Sequence, residues 1–226
     1  ENARLNMNTE QPGFDFDKVR TAASTMWNKD LSKVQVEGGT KDEKTIFYTG
    51  MYHLLIHPNI LQDVNGEYPM MESLKVGHTT GNRYTVFSLW DTYRNVSTLM
   101  TLLYPERQLD IIRTMLDMYR ENGWLPKWEL YGRETFTMEG DPSIPYIVDA
   151  WMRGLRDFDE QTAYEAMRKG ATTPGEFNLL RPDANDYFSK GYVPLREQYD
   201  NSVSHALEYY ICLLYTSPSP RDAHES

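Results

Sequence analysis

Residues 88–121, SLWDTYRNVSTLMTLLYPERQLDIIRTMLDMYRE, decide the fold of this chain. Pro105 divides the stretch in two, because proline fits the first turn of a helix but not its interior. Apolar residues recur three or four positions apart on both sides, at Leu89, Tyr93, Val96, Met100 and Leu103 before it and at Leu109, Ile112, Met115, Leu116 and Tyr119 after it. This is the period of an amphipathic α-helix. We predict one helix over about 88–104 and a second over about 106–121, ended by Asn122-Gly123.

Helical spacing continues outward from this pair. Asp15 or Asp17 can cap a helix that runs to about Lys29. Further helices are predicted over about 44–56, 144–155 and 160–169, and a last one begins at Ser202. Long loops separate them at 62–84, 124–142 and 170–199, and loops of this length inside a compact domain are often functional.

The order of long loop, helix, short turn and helix indicates the fold class. It is typical of a mainly α protein, a toroid of helical hairpins in which the long loops gather at one end. Strand signals are too few for a sheet of the βαβ kind, and no short-period repeat of a solenoid is visible.

Composition excludes several classes of function. The chain has 33 acidic and 23 basic residues, a formal net charge of −10, and the basic residues are scattered. Nucleic-acid binding needs clustered Lys and Arg, so it is not expected. No run of about 20 apolar residues could span a membrane. Cys212 is the only cysteine, which rules out a disulfide framework within the chain.

The last residues do not resemble the rest. Residues 212–222, CLLYTSPSPRD, read as the in-frame translation of a sequencing adapter that follows an apolar, helix-like stretch directly. We therefore expect authentic sequence to end near Ile211, and we predict that 1–211 are the N-terminal part of an incomplete domain while 212–226 have no function.

Two stretches carry the candidate binding residues. Residues 88–94, SLWDTYR, open a helix after a long loop, and Asp91 lies three positions from Arg94. The spacing fits either a local ion pair or a polar site where loops converge. Residues 122–129, NGWLPKWE, place two Trp beside a Lys and a Glu, as in carbohydrate pockets, although either Trp could instead anchor a loop in the core.

Together the motifs resemble glycoside hydrolase family 92, the calcium-dependent exo-acting α-mannosidases. Any one motif is weak, but six in this order are specific, and they extend over most of 44–210. The resembling stretches are FYTGMYH at 47–53, SLWDTYR at 88–94, GWLPKW at 123–128, IVDA at 147–150, GYVP at 191–194, and SVS with LEY at 202–204 and 207–209.

The resemblance implies a site and a fold. The fold would be an (α/α)6 barrel after a β-sandwich, with this chain holding only the first part of the barrel. Trp90, Asp91 and Arg94 would line the pocket for a terminal mannose. Lys127, Trp128 and Glu129 would extend the same wall, and Glu208 is a further candidate.

The resemblance also implies the chemistry. An inverting glycosidase uses a protonated carboxyl as acid and a second carboxylate, roughly 6.5–9.5 Å away, to activate water. The resemblance places the acid, the base and most Ca²⁺ ligands downstream of Ile211, so the chain alone is expected to be inactive. It further implies α-mannoside glycans, of the α-1,2 type, as substrates and a secreted or periplasmic location.

Two alternatives stay open at this point. The parent protein could be another (α/α)-barrel glycosidase, such as a glucosidase or a trehalase-like enzyme. It could also be a non-catalytic, carbohydrate-binding helical protein whose aromatic residues are simply core.

Overall fold

The structure, a computed structural model, describes residues 1–195 and 202–216, with side chains as far as Ile211. The described residues form ten α-helices: α1 (Asn2–Glu10), α2 (Phe16–Leu31), α3 (Lys41–Leu54), α4 (Leu89–Thr92), α5 (Val96–Leu103), α6 (Pro105–Asn122), α7 (Ser143–Met152), α8 (Glu160–Thr172), α9 (Ala184–Lys190) and α10 (Ser202–Thr216). The chain is therefore mainly helical, as predicted.

Strands are short and confined to the loops. Each pairs antiparallel with one other strand: β1 (Asn59–Ile60) with β4 (Tyr84–Thr85), β2 (Glu67–Pro69) with β3 (Val76–His78), and β5 (Glu129–Leu130) with β6 (Arg133–Glu134). They give the two long loops 62–84 and 124–142 a fixed shape.

Local chemistry sets the helix ends. Thr40 and Glu43 form a reciprocal capping box at the start of α3. Asp159 accepts from the backbone N–H of Thr162 and caps α8. Pro105 occupies the first turn of α6, and Gly123 ends that helix at φ 85°, a left-handed conformation that glycine adopts without a Cβ clash.

The main core lies where α6 meets α7 and α8. Ile112, Met115 and Leu116 of α6 are fully buried there, beside Ile144 of α7 and Ala166 of α8. Phe87 and Leu89, on either side of the start of α4, belong to the same cluster. The core thus fixes the position at which α4 begins.

A smaller cluster joins α3 to α5, with Met51 and Leu55 against Met100 and Tyr104. By contrast, no residue of α1 or α2 is buried. The N-terminal helices therefore contribute little to the core.

One predicted helix is wrong. The stretch 88–104 forms two helices, α4 and α5, because Asn95 leaves the helical region at φ −143° and ψ −37°. The break turns Tyr93 and Arg94 toward α10, whose Glu208 they both contact. The predicted helix 106–121 is confirmed by α6, and the predicted start at Ser202 is confirmed by α10.

The C-terminal prediction is only partly within the described residues. Residues 212–216 continue α10, while 217–226 lie outside the part that the structure describes. The expectation that 212–226 are not authentic sequence therefore stays a prediction.

Candidate functional site

The two stretches that carry the candidate residues lie side by side. Phe87 N donates to Glu129 O at 3.0 Å, and Leu89 N donates to Lys127 O at 3.4 Å. Residues 87–89 thus run along 127–129, just before α4 begins. Two segments that lie about 40 residues apart in sequence form one continuous wall.

Asp91 is the exposed carboxylate of this wall. It lies in the first turn of α4 and accepts a hydrogen bond from the Ser88 hydroxyl. Trp90, half-buried, precedes it. The Arg94 guanidinium lies over the rings of both Trp90 and Tyr93, 4.9 Å from each centroid. The Asp91 carboxylate is therefore open to solvent, in the same short segment as the stacked Trp90 and Arg94.

Arg94 makes its ion pair with Glu208, not with Asp91. Its Nη2 lies 3.0 Å from Glu208 Oε1, and the Tyr93 hydroxyl donates to Glu208 Oε2 at 2.9 Å. Glu208 is buried, so both of its oxygens face these two partners. The local ion pair that the sequence left open is thus replaced by a contact between the α4–α5 break and α10.

Lys127 is buried behind the wall. Its Nζ donates to the Leu180 carbonyl at 3.3 Å, and burial lowers its pKa, against the opposing effect of Asp141, Glu139 and Glu134. Trp128 is half-buried. Within the described residues the indole Nε1 atoms of Trp90 and Trp128 are both buried and lack a hydrogen-bond acceptor. An unsatisfied buried donor is costly, and such groups often mark functional sites.

Glu129 is fully buried and faces protein donors. Its carboxylate accepts from the Thr85 hydroxyl at 2.9 Å, from Val86 N at 3.1 Å and from Gly132 N at 2.5 Å. Burial raises its pKa, although these hydrogen bonds oppose that shift. Direct contact of Lys127, Trp128 or Glu129 with a sugar stays a prediction.

Glu134 and Glu72 also accept hydrogen bonds from main-chain N–H groups of the loop 124–142. Glu134 accepts from Lys127 N, Trp128 N and Phe136 N at 2.7–2.9 Å. Glu72 accepts from Glu134 N at 2.7 Å, and Glu72 N donates to Gly132 O at 2.8 Å. The loops 62–84 and 124–142 are therefore joined, which confirms that long loops meet beside α4.

Charged groups also collect under α10. His205 Nε2 lies 2.7 Å from Glu139 Oε2, and its Nδ1 lies 3.0 Å from Asp183 Oδ2. Arg181 Nε lies 3.5 Å from Asp141 Oδ2, and both side chains are 1% exposed. Burial raises the pKa of Asp141 and of Glu139, while nearby cations oppose both shifts.

Several of these residues were not predicted from the sequence. They are Tyr93 in its polar role, Glu134, Asp183, Arg181 and His205. Their contacts join positions far apart in the chain, such as Tyr93 and Glu208. The single local signal was Asn95, because asparagine is unfavourable inside a helix and so could have indicated a break there.

Comparison with known proteins gives a consistent picture. The model of the glycosyl hydrolase family 92 catalytic domain matches residues 2–213. An uncharacterized secreted glycosidase of Arthroderma benhamiae is 28% identical over 92% of this chain and 24% of its own length.

Two solved structures of family 92 mannosidases have the same fold as this chain. A family 92 α-mannosidase of Bacteroides thetaiotaomicron in complex with mannoimidazole is 32% identical, with a TM-score of 0.86 over 99% of this chain and 29% of its own. An inverting mannosidase of the same family and organism is 27% identical, with a TM-score of 0.85 over 98% of this chain and 33% of its own. The predicted fold class, a partial (α/α)6 toroid of helical hairpins, is confirmed.

The chain spans about a quarter to a third of the length of these relatives. With a family model that matches nearly all of it and with the fold of two members, the chain belongs to glycosyl hydrolase family 92.

Proposed function

We propose that this chain is part of an exo-acting α-mannosidase and that it supplies one wall of the pocket for a terminal mannose. Family membership and two mannosidases of the same fold support the proposal. The observation that carries it is Asp91, an exposed carboxylate in the first turn of α4 that accepts from the Ser88 hydroxyl and follows Trp90 in sequence.

The three side chains have different tasks. Trp90 offers a flat apolar face to one side of the sugar ring. Asp91 accepts hydrogen bonds from sugar hydroxyls, and its own bond to Ser88 fixes its rotamer. Arg94 is held by Glu208, so its remaining N–H groups point in a set direction. Trp128 continues the wall on the neighbouring segment.

We propose inversion as the reaction course, by a carboxylic acid and a carboxylate base on opposite faces of the sugar. One relative of this fold is described as an inverting mannosidase, which supports this. We assign neither acid nor base to this chain: Glu129 and Glu208 are buried against protein partners. The isolated chain should therefore not release mannose.

Calcium does not fit the residues at hand. Ca²⁺ takes six to eight oxygen ligands, several of them carboxylates. Within the part of the chain that the structure describes, no group of three or more His, Cys, Asp or Glu is placed to hold a metal ion. We therefore propose that the Ca²⁺ of a family 92 mannosidase would be bound by residues other than these.

The natural substrates we propose are mannose-containing glycans with α-1,2-linked termini, as in N-glycan degradation, in a secreted or periplasmic setting. The name of the fungal relative, a secreted glycosidase, supports the location. No described helix is long and apolar enough to cross a membrane.

Binding of mannoimidazole by the chain, measured by calorimetry or by NMR titration, tests the proposal. Asp91→Asn should weaken binding by at least about tenfold, as expected for a charged hydrogen bond to a ligand. Asp42→Asn is the matched control, since Asp42 is also an exposed carboxylate in the first turn of a helix.

Equal affinities in wild type and Asp91→Asn would contradict the proposal. Binding of glucose-type inhibitors in preference to mannoimidazole would favour another (α/α)-barrel glycosidase. Sugar binding by an uninterrupted parent protein that shows no hydrolysis would favour the non-catalytic alternative.

A further inference from the structure

We propose that Glu129 is a positioning residue: it holds the Thr85-Val86 corner in the shape from which α4 presents Trp90 and Asp91. This inference rests on the proposed function for its effect on sugar binding. The claim that Glu129 holds the corner in shape depends only on the contacts within the corner.

The corner has an unusual backbone. Val86 has φ 67°, a left-handed conformation. For a β-branched residue this conformation is a genuine outlier, and it persists only where the surroundings impose it. The segment from Val86 leads directly to Phe87 and Leu89, which are buried in the main core, and then to Trp90 and Asp91.

Glu129 contacts the corner at three points. Its carboxylate accepts from the Thr85 hydroxyl and from Val86 N, and its main-chain carbonyl accepts from Phe87 N. Three consecutive residues are therefore fixed by one side chain and its own backbone. Strained conformations are maintained by this kind of surrounding structure.

The same carboxylate reaches the turn of the β5–β6 hairpin. Gly132 N donates to it, and Tyr131 N donates to the Thr85 hydroxyl at 2.7 Å. Tyr131 has φ 50° and Gly132 has φ 85°, as in the two-residue turns that join adjacent strands. Glu129 thus fastens two left-handed turns to each other, at the end of the wall where residues 85–86 and 131–132 meet.

Full burial distinguishes this role from direct sugar binding. Glu129 is 0% exposed, and its carboxylate is enclosed by the Thr85, Val86 and Gly132 donors. A role through the corner therefore needs no contact between Glu129 and a ligand beside Trp90 and Asp91. The residue acts through the corner.

Amide hydrogen exchange of the chain provides the test. Glu129→Gln keeps the size of the side chain, but its amide nitrogen cannot accept a hydrogen bond. We expect the amides of Val86 and Phe87 to exchange at least about tenfold faster, because local opening of the corner becomes easier. We also expect the Trp90 indole resonance to shift.

Leu116→Ala is the control. Leu116 lies in the α6 core and is 0% exposed, so this variant loses stability without removing any hydrogen bond of the corner. It should leave the ratio of Val86 exchange to that of the other core amides unchanged. If Glu129→Gln behaves as Leu116→Ala does, Glu129 only stabilises the fold and the proposal is overturned.

The Val86→Gly variant provides a second, independent test. Glycine adopts φ 67° without a steric cost, so the corner then needs Glu129 less. The effect of Glu129→Gln on Phe87 exchange should be at least about threefold smaller in the Val86→Gly background, the sign of coupling between the two sites. Equal effects in both backgrounds would overturn the proposal. If Glu129→Gln does not fold, Thr85→Val, which removes the hydroxyl alone, replaces it with the same expectations.

Mannoimidazole affinity separates this inference from the proposed function. If Glu129→Gln binds mannoimidazole more weakly and the amides of the corner exchange faster, both the role of Glu129 and the proposed function are supported. If the wild-type chain does not bind mannoimidazole at all, the proposed function fails for this chain, while the exchange measurements still decide the role of Glu129.

Discussion

Arg94 and Glu208 form an ion pair across 114 residues of sequence, with 3.0 Å between Arg94 Nη2 and Glu208 Oε1. Their burial is unequal: 46% of the Arg94 side chain is exposed against 6% of the Glu208 side chain. The Tyr93 hydroxyl completes the contact. This pair fastens α10 to the break between α4 and α5.

Because of this inequality, the two single substitutions should differ. Arg94→Met leaves a buried carboxylate without its cation and should lower the free energy of unfolding by about 1–3 kcal/mol. Glu208→Gln leaves an arginine that is half in solvent and should lower it less. The double variant should lose less free energy of unfolding than the two single variants lose together. Urea denaturation measures all four proteins, and strict additivity would show that the pair is not coupled.

Gly140 should not tolerate a side chain. It has φ 66°, and a Cβ at this position would overlap Cβ of Glu208. Gly140→Ala should therefore lower the free energy of unfolding by about 2–4 kcal/mol, from backbone strain and from displacement of α10.

Gly154→Ala is the matched control for that variant. Gly154 also has a positive φ, 96°, but nothing lies within 4 Å of its added Cβ. Gly154→Ala should lower the free energy of unfolding only by the cost of the left-handed backbone, about 1–2 kcal/mol. Equal losses for the two variants would mean that α10 does not pack closely on Gly140.

The capping box of α3 should contribute a small and separable stabilisation. Thr40→Ala removes the hydroxyl that accepts from Glu43 N and should cost about 1 kcal/mol. Thr45→Ala, on the exposed side of the same helix, removes a hydroxyl that bonds only to the Lys41 carbonyl and should be close to neutral. Thermal unfolding of both variants checks this, and a reversed order would contradict the capping assignment.

The raised pKa of Glu129 gives a pH prediction with a definite sign. Burial makes the folded chain hold a proton on this carboxyl more tightly than the unfolded chain does. Its contribution to stability is therefore complete below the ordinary pKa of about 4.3. The contribution is lost as the pH rises through the raised value.

Glu129→Gln does not titrate, so the stability difference between wild type and this variant should shrink as the pH rises above the ordinary pKa of about 4.3. Urea denaturation at several pH values provides the difference. A difference that grows with pH would mean that the hydrogen bonds to Glu129 outweigh its burial.

The helices were predictable because their signals are local. Pro105 and Gly123 bound α6, and its apolar spacing identified Ile112, Met115 and Leu116 as core residues, although Leu109 and Tyr119 are only half-buried. The break at Asn95 was not predicted, since the apolar period of 88–104 continues through it. The break is stabilised by contacts of Tyr93 and Arg94 with a helix that lies more than 100 residues later.

The site was only partly predictable for the same reason. Sequence patterns selected Trp90, Asp91 and Arg94, and the structure places residues 87–89, just before them, beside residues 127–129. The partner of Arg94 was missed, because Asp91 is the local candidate and Glu208 is not. The tasks of Glu134 and Glu72 were also missed, since a carboxylate that accepts from main-chain N–H groups leaves no pattern in the side chains around it.

Main-chain recognition by Glu72, Glu129 and Glu134 has an evolutionary consequence. These carboxylates bind backbone N–H groups, which every residue except proline possesses. The shape of residues 127–136 is therefore set largely by Glu129, Glu134 and Glu72 and less by the exposed side chains between them. An exposed position such as Arg133 can be exchanged by mutation without refolding the loop. A lineage with this scaffold can diversify the exposed face of the loop one residue at a time, while three glutamates preserve the frame.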